Sequence, residues 1–172
     1  MILTGKEIKK RLGKDIKIEP YNDDQLNPNS YNLRLHNELM IYTDDVLDMK
    51  AKNATKTITI PEEGYVLMPG ELYLARTEEY TETQGLVPMI LGRSSVGRLG
   101  IAVHRTSGFG DIGFCGYWTL QLTCIKPVRI YAGMKICQIF YHDILGEYDS
   151  YSSDKYQGSD AIIPSKLYNE LK

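Results

Sequence analysis

The sequence predicts a mainly β protein, an antiparallel barrel or sandwich with short helices near each end. Three observations carry that expectation: strand-like runs recur at short intervals with turn residues between them, those runs are rich in Thr, Tyr, Val and Ile, and no long stretch has helical periodicity. The chain has 172 residues, which suits one domain spanning 1–172. With 42% hydrophobic and 24% charged residues, it can bury a sizeable core unaided.

In chain order, Thr4-Gly5-Lys6-Glu7 has the form of a capping box. Ile8 and Leu12 follow one turn apart, so a short opening helix is expected. Residues 19–30 are rich in Pro, Asn and Asp and read as loop. Tyr31, Leu33 and Leu35 then alternate with Asn32, Arg34 and His36, the period of a strand. Residues 57–60 form a run that stops at Pro61, and residues 65–68 connect through Pro69-Gly70 to residues 72–75. Residues 117–125, 128–131 and 135–141 complete the series, with Ala132-Gly133 as a tight turn. Two helical islands interrupt the strands. Ser94 or Ser95 caps a turn bearing Val96 and Leu99 that stops at Gly100, and Ser165 caps a final helix with Leu167 and Leu171. The polar segment 146–164 reads as a mobile tail.

Charge and motif content exclude several classes. Lys plus Arg number 20 against 22 Asp plus Glu, a net −2, which disfavours a duplex nucleic-acid binder. Three cysteines, Cys115, Cys124 and Cys137, suit reduced thiols in a cytoplasmic protein better than a disulfide framework. The first residues lack the apolar region of a signal peptide, and no apolar run is long enough to span a bilayer, so no membrane association is expected. A zinc nucleobase deaminase needs His-x-Glu and Pro-Cys-x-x-Cys, and both are missing from the sequence. His36, His104 and His142 do not fall at metal-ligand spacing with the cysteines, so no metal-ligating residue is assigned.

Four segments could carry chemistry. In Gly92-Arg93-Ser94-Ser95-Val96-Gly97-Arg98-Leu99-Gly100, two arginines five apart bracket two hydroxyls at a predicted helix start. That pattern suits phosphate oxygens, and equally a capped surface helix with solvated arginines. In residues 106–116, four glycines let backbone pass close to a ligand around a lone acid, Asp111. An Asp in such a turn also commonly binds only the local backbone. In residues 117–124, Trp118, Leu120, Leu122 and Cys124 share one face and Tyr117, Thr119, Gln121 and Thr123 the other. The polar row fits a cavity lining or the wet side of a half-exposed sheet. Lastly, Tyr148, Lys155, Tyr156 and Gln157 could close over a nucleotide or belong to a loose tail.

Taken together, these segments resemble the dCTP deaminase family, which shares its fold with the trimeric dUTPases. Residues 92–100 look like the family's Gly-Arg-Ser-Ser-x-x-Arg-x-Gly signature. Thr106-Ser107-Gly108-Phe109 is similar to the Thr-Ala-Gly-Trp/Phe form of the bifunctional, dUMP-forming members. Residues 134–139 resemble a family strand carrying Gln138, and Lys155-Tyr156-Gln157 the tail motif that folds over the triphosphate. The resemblance implies a distorted β-barrel, a homotrimer with active sites shared between subunits, and a pyrimidine deoxynucleoside triphosphate bound with Mg²⁺ through its phosphates, without zinc. By position, Ser94 and Arg98 would contact phosphates and order the reacting water, flanked by Arg93 and Ser95. Thr106, Ser107 and Gly108 would lie near the base, and Asp111 would bind the sugar or activate water for attack at phosphorus. Gln138, Tyr148, Lys155, Tyr156 and Gln157 would complete the substrate contacts.

One position departs from the pattern. Ten residues after the Asp, the family's deaminases have a proton-shuttling Glu, and this chain has Gln121. An amide cannot act as general base near neutrality, so deamination is expected to be weakened while triphosphate hydrolysis through Asp111 is less affected. The resemblance therefore implies an enzyme acting on dCTP, dUTP or both. A dUTP diphosphatase only and a non-catalytic nucleotide binder are the alternative readings.

Overall fold

The computed structural model describes residues 1–153 and 155–171, so Asp154 of the expected tail lies outside the described residues. It contains α1 (Gly5–Arg11), β1 (Ile16–Glu19), β2 (Tyr31–Tyr42), β3 (Thr55–Thr59), β4 (Tyr65–Leu67), β5 (Tyr73–Thr83), β6 (Leu86–Gly92), α2 (Ser94–Gly97), β7 (Ile101–Ala102), β8 (Cys115–Cys124), β9 (Val128–Ile130) and β10 (Lys135–Asp143). The main sheet runs β6-β10-β2-β5-β8-β7, with β1 added on β5 and β3 on β2, and β4 pairs β9 in a separate two-stranded sheet. Every strand pairing is antiparallel, as the sequence predicts.

The sheet curls until its ends nearly meet. Residues 108–110, between β7 and β8, pair with β6 at the opposite end of the strand order. The Ile90 amide donates to Gly108 O at 2.7 Å and the Gly110 amide to Pro88 O at 2.9 Å. Only glycine permits this approach, because a Cβ on Gly108 would lie 2.4 Å from Ile90 O, and one on Gly110 2.4 Å from the Trp118 ring. Inside the barrel lie the alternating apolar residues of the strands, including Tyr31, Leu33, Leu35, Leu120, Leu122 and Ile139. Asn32, on the polar side of the β2 alternation, is buried as well.

β2 and β5 both shift register partway, between Leu35 and Leu39 and between Arg76 and Tyr80. Backbone groups freed at such a bend must find other partners. Glu79, fully buried, accepts from the Arg34 amide at 2.7 Å, from Arg34 Nε at 2.7 Å and from Gln25 Nε2 at 2.8 Å. Thr77 Oγ1 donates to Glu79 O and accepts from the Trp118 amide. The bend is therefore held by a buried, fully partnered carboxylate.

Several sequence expectations need correction. The turns at Pro69-Gly70 and Ala132-Gly133 join strands of different sheets: β4 pairs β9, whereas β5 pairs β2, β8 and β1, and β10 pairs β2 and β6. Gly70 and Gly133 take left-handed backbone at corners where the chain changes sheets. The expected C-terminal helix is a single 3₁₀ turn, Leu167–Asn169, because so short a segment gains too little packing to offset helix nucleation. Neither Ser94 nor Ser95 caps α2. Both lie inside the turn, and extended Arg93 holds the cap position. At α1 the sequence reads correctly, since Thr4 Oγ1 accepts from the Glu7 amide. All three cysteines are free thiols.

Gly110→Ala is expected to destabilise the fold by about 1–3 kcal/mol through overpacking against Trp118 and Pro88. Thermal unfolding checks this, with a fall in Tm of at least about 2 °C expected for a domain of this size.

Candidate functional site

The polar face of β8 becomes one wall of a cavity of about 440 Å³. Alternation turns Trp118, Leu120, Leu122 and Cys124 toward the core, which leaves Tyr117, Thr119 and Gln121 on the opposite face. In register beside Gln121 stands Leu74 of β5, and Ser107, Phe109 and Asp111 come from the glycine-rich loop. The volume lies within the ordinary range for small-ligand pockets. Asp111 is the one carboxylate on its lining among the described residues.

Gln121 has both ends of its carboxamide engaged. Oε1 accepts from the Arg105 amide at 3.3 Å, and Nε2 donates to Ser107 Oγ at 2.7 Å. The Gln121 backbone amide also donates to Val103 O. The loop is thus fastened to β8 by Gln121 on one side and to β6 by Gly108 and Gly110 on the other. Next to this loop His104 is largely buried, with no hydrogen-bond partner for either ring nitrogen among the described residues. Burial pushes its pKa down to about 4.

The C-terminal segment supplies the opposite wall. The sequence reads residues 146–164 as a mobile tail, and among its described residues Tyr151, Gln157, Gly158, Ser159 and Ile163 hydrogen-bond to β8 or the loop before it. The Tyr151 amide donates to Ile112 O, Gly158 to Cys115 O, and Tyr117 back to Ser159 O. Gln157 accepts from the Cys115 amide at 3.1 Å and donates to Gly113 O at 2.8 Å. Ile163 donates to Thr119 Oγ1, and Ser165 to the Tyr42 hydroxyl. Tyr151, Tyr156, Ser159 and Ile163 consequently face the cavity. Gln157 here fastens backbone. Lys155 pairs with Glu170 above the Tyr156 ring and is absent from the lining. Tyr148 packs near Gly85 and also does not line the cavity.

The remaining predicted residues form a second group. Arg93, Ser94, Ser95 and Arg98 sit at the corner between β6 and β7. Arg93 Nη1 donates to Lys135 O, and Gln138 accepts from Ser30 Oγ and donates to Gly92 O. None of these five lines the cavity within one chain, and neither does exposed Thr106. α2 is a single four-residue turn, so any anion affinity there comes from guanidinium and hydroxyl groups and not from an aligned helix. Sequence reasoning missed Tyr42, Leu74, Phe114 and Tyr151 as cavity residues. Leu74 reaches the site only through its register with Gln121, and Tyr151 only through tail docking, so no local pattern announces either.

Comparison with known proteins identifies the family. A family model described as dCTP deaminase-like matches residues 2–144. A dCTP deaminase, dUMP-forming, of Clostridium acetobutylicum is 62% identical over 99% of each chain, and one from Hathewaya histolytica is 62% identical over 100% of each. A third, from Cytophaga hutchinsonii, is 59% identical over 100% of this chain and 99% of its own. Among solved structures, the 2'-deoxycytidine 5'-triphosphate deaminase of Agrobacterium tumefaciens aligns with a TM-score of 0.64 and 22% identity. That alignment covers 81% of this chain and 47% of the Agrobacterium chain, and it supports the fold alone. The barrel has the fold of that deaminase. The chain belongs to the dCTP deaminase-like family.

The buried His104 generates a pH dependence. Its pKa falls from 6.5 to about 4 on folding, so below pH 6.5 the unfolded chain takes up a proton that the folded chain refuses. Stability should therefore be unaffected by this group above 6.5 and should fall progressively down to pH 4, by about 3 kcal/mol in total. Urea unfolding between pH 4 and 7 checks this: His104→Gln should flatten the slope relative to the parent, and an unaltered slope contradicts the assignment.

Proposed function

We propose that the protein is a dUMP-forming hydrolase of pyrimidine deoxynucleoside triphosphates in which dUTP hydrolysis persists and dCTP deamination is weakened. The observation carrying this reading is the composition of the cavity wall, where among the described residues Asp111 is the sole carboxylate and a tethered Gln121 amide occupies the family's proton-shuttle position. The close relatives are named for forming dUMP from dCTP, and the cavity has room for a nucleoside moiety.

In the hydrolytic step, water directed by Asp111 adds to the α-phosphorus and gives its proton to the carboxylate. The bond from the α-phosphorus to the bridging oxygen breaks, and diphosphate leaves. Mg²⁺ would travel on the substrate phosphates, with no residue of this chain assigned as its ligand. Among the described residues, no three His, Cys, Asp or Glu side chains gather at metal-binding distance. Bound in that way, the ion neutralises charge on the leaving diphosphate. Deamination instead requires a group that takes a proton from water at C4 and returns one to the departing ammonia. Gln121 can do neither.

We further propose that the site is completed in a homotrimer. Arg93, Ser94, Ser95, Arg98 and Gln138 would reach the phosphates in a neighbouring protomer's cavity, and Tyr148, Lys155 and Thr106 would engage once substrate is bound. Exposed Leu91 and Leu99 flank this corner, as expected for a surface that another protomer covers. No helix among the described residues is long and apolar enough to cross a membrane, and a cytoplasmic location is part of this proposal.

With Mg²⁺, dUTP should yield diphosphate while dCTP yields little ammonia. Asp111→Asn should lower diphosphate release about 10²–10⁴-fold, and Gln121→Glu should raise ammonia release from dCTP by a similar factor. Ammonia appearing from dCTP as fast as diphosphate from dUTP in the parent protein contradicts the proposal. Assembling Arg98→Ala and Asp111→Asn chains together should restore part of the activity that each lacks alone. Failure to recover any contradicts the shared site.

A further inference from the structure

The Gln121 amide has a fixed polarity. A backbone N–H can only donate, so the side-chain atom facing the Arg105 amide must be the carbonyl oxygen. The NH₂ group is thereby turned to Ser107, whose Oγ accepts from it. Because the Ser107 oxygen is the acceptor, its own proton remains available, as does the second hydrogen of Gln121 Nε2. Both residues line the cavity. The wall here consequently offers two adjacent donors and, toward the cavity, one remaining acceptor, the second lone pair of Ser107 Oγ, while Gln121 Oε1 is drawn back onto backbone.

We propose that Ser107 and Gln121 act as one unit that selects a base carrying a carbonyl at ring position 4, uracil, and rejects one carrying an amino group there, cytosine. The inference rests on the reading above that the cavity takes a pyrimidine deoxynucleoside triphosphate. A uracil O4 accepts from both donors. A cytosine amino group could use only the Ser107 lone pair and would set its second hydrogen against the Gln121 N–H, leaving that donor unpaired, a mismatch that costs affinity. Ser107 is the half of the unit that a proton-shuttling carboxylate would not require.

Titration calorimetry with the α,β-imido analogues of dUTP and dCTP, in Mg²⁺, separates binding from phosphate hydrolysis, and an ammonia assay on each mixture shows whether the dCTP analogue stays intact. The parent protein should bind the uracil analogue more tightly by at least about tenfold. Ser107→Ala, at an exposed position, should narrow that ratio severalfold with an unchanged Tm. Gln121→Glu should reverse the order, since a carboxylate accepts from the cytosine amino group and repels O4. Equal affinity for the two analogues in the parent, or a ratio untouched by both substitutions, overturns the inference and leaves the hydrolase reading standing. Binding of neither analogue overturns that reading and the inference with it.

Discussion

The site depends on one close approach, the passage of residues 108–110 against β6 at a clearance that admits no side chain on either glycine. Hydrogen bonds from Ile90 to Gly108 and from Gly110 to Pro88 close the barrel where its strand ladder would otherwise stop. They also decide where Ser107 and Asp111 emerge. Asp111 follows immediately after the pinned glycine, so its carboxylate is delivered to the cavity mouth by backbone geometry and not by side-chain packing. Gln121 fastens the other flank of the same loop. Residues on loops are useful in catalysis when a rigid scaffold positions them, and here two sheet strands do so.

This architecture divides the candidate functional residues into two groups. One lines a cavity built from β8, the glycine-rich loop and the docked tail. The other lies at the β6–α2–β7 corner, on the outside of the same barrel. A single chain leaves the corner's arginines and hydroxyls without the cavity they would serve, which is the geometrical reason for proposing that neighbouring protomers share a site. The docked tail has a similar consequence. Tyr151 and Tyr156 form a wall only while the hydrogen bonds through Gln157, Ser159 and Ile163 persist, so cavity shape and tail docking are coupled.

Much of the fold was legible in the sequence because alternation reports burial directly. The β8 residues Trp118, Leu120, Leu122 and Cys124 are buried as their spacing requires. Pairing was not legible, since the turns at Gly70 and Gly133 look like hairpin turns and in fact send the chain into another sheet. β1 and the long extension of β5 through Glu79 escaped notice because Lys17, Glu78 and Glu82 interrupt the apolar pattern with charges that either reach solvent or, at Glu79, are satisfied internally. Of the site, Ser107, Asp111, Gln121 and Tyr156 were legible as members of motifs and do line the cavity. Tyr42, Leu74, Phe114 and Tyr151 were not, because they arrive through register and long-range docking that no local motif records. The contact between Ser107 and Gln121, fourteen residues apart, likewise required the folded loop.

The central claim is that the nucleotide lies in this cavity with its base against Gln121 and its phosphates toward a neighbouring protomer's Arg98. A crystal structure with the α,β-imido analogue of dUTP tests it directly. The account predicts uracil O4 within hydrogen-bonding distance of Gln121 Nε2 or Ser107 Oγ and Asp111 beside the sugar and α-phosphate. Arg98 of an adjacent protomer should contact the phosphate oxygens. A nucleotide bound elsewhere, or Arg98 remote from its phosphates in the assembled protein, would contradict it.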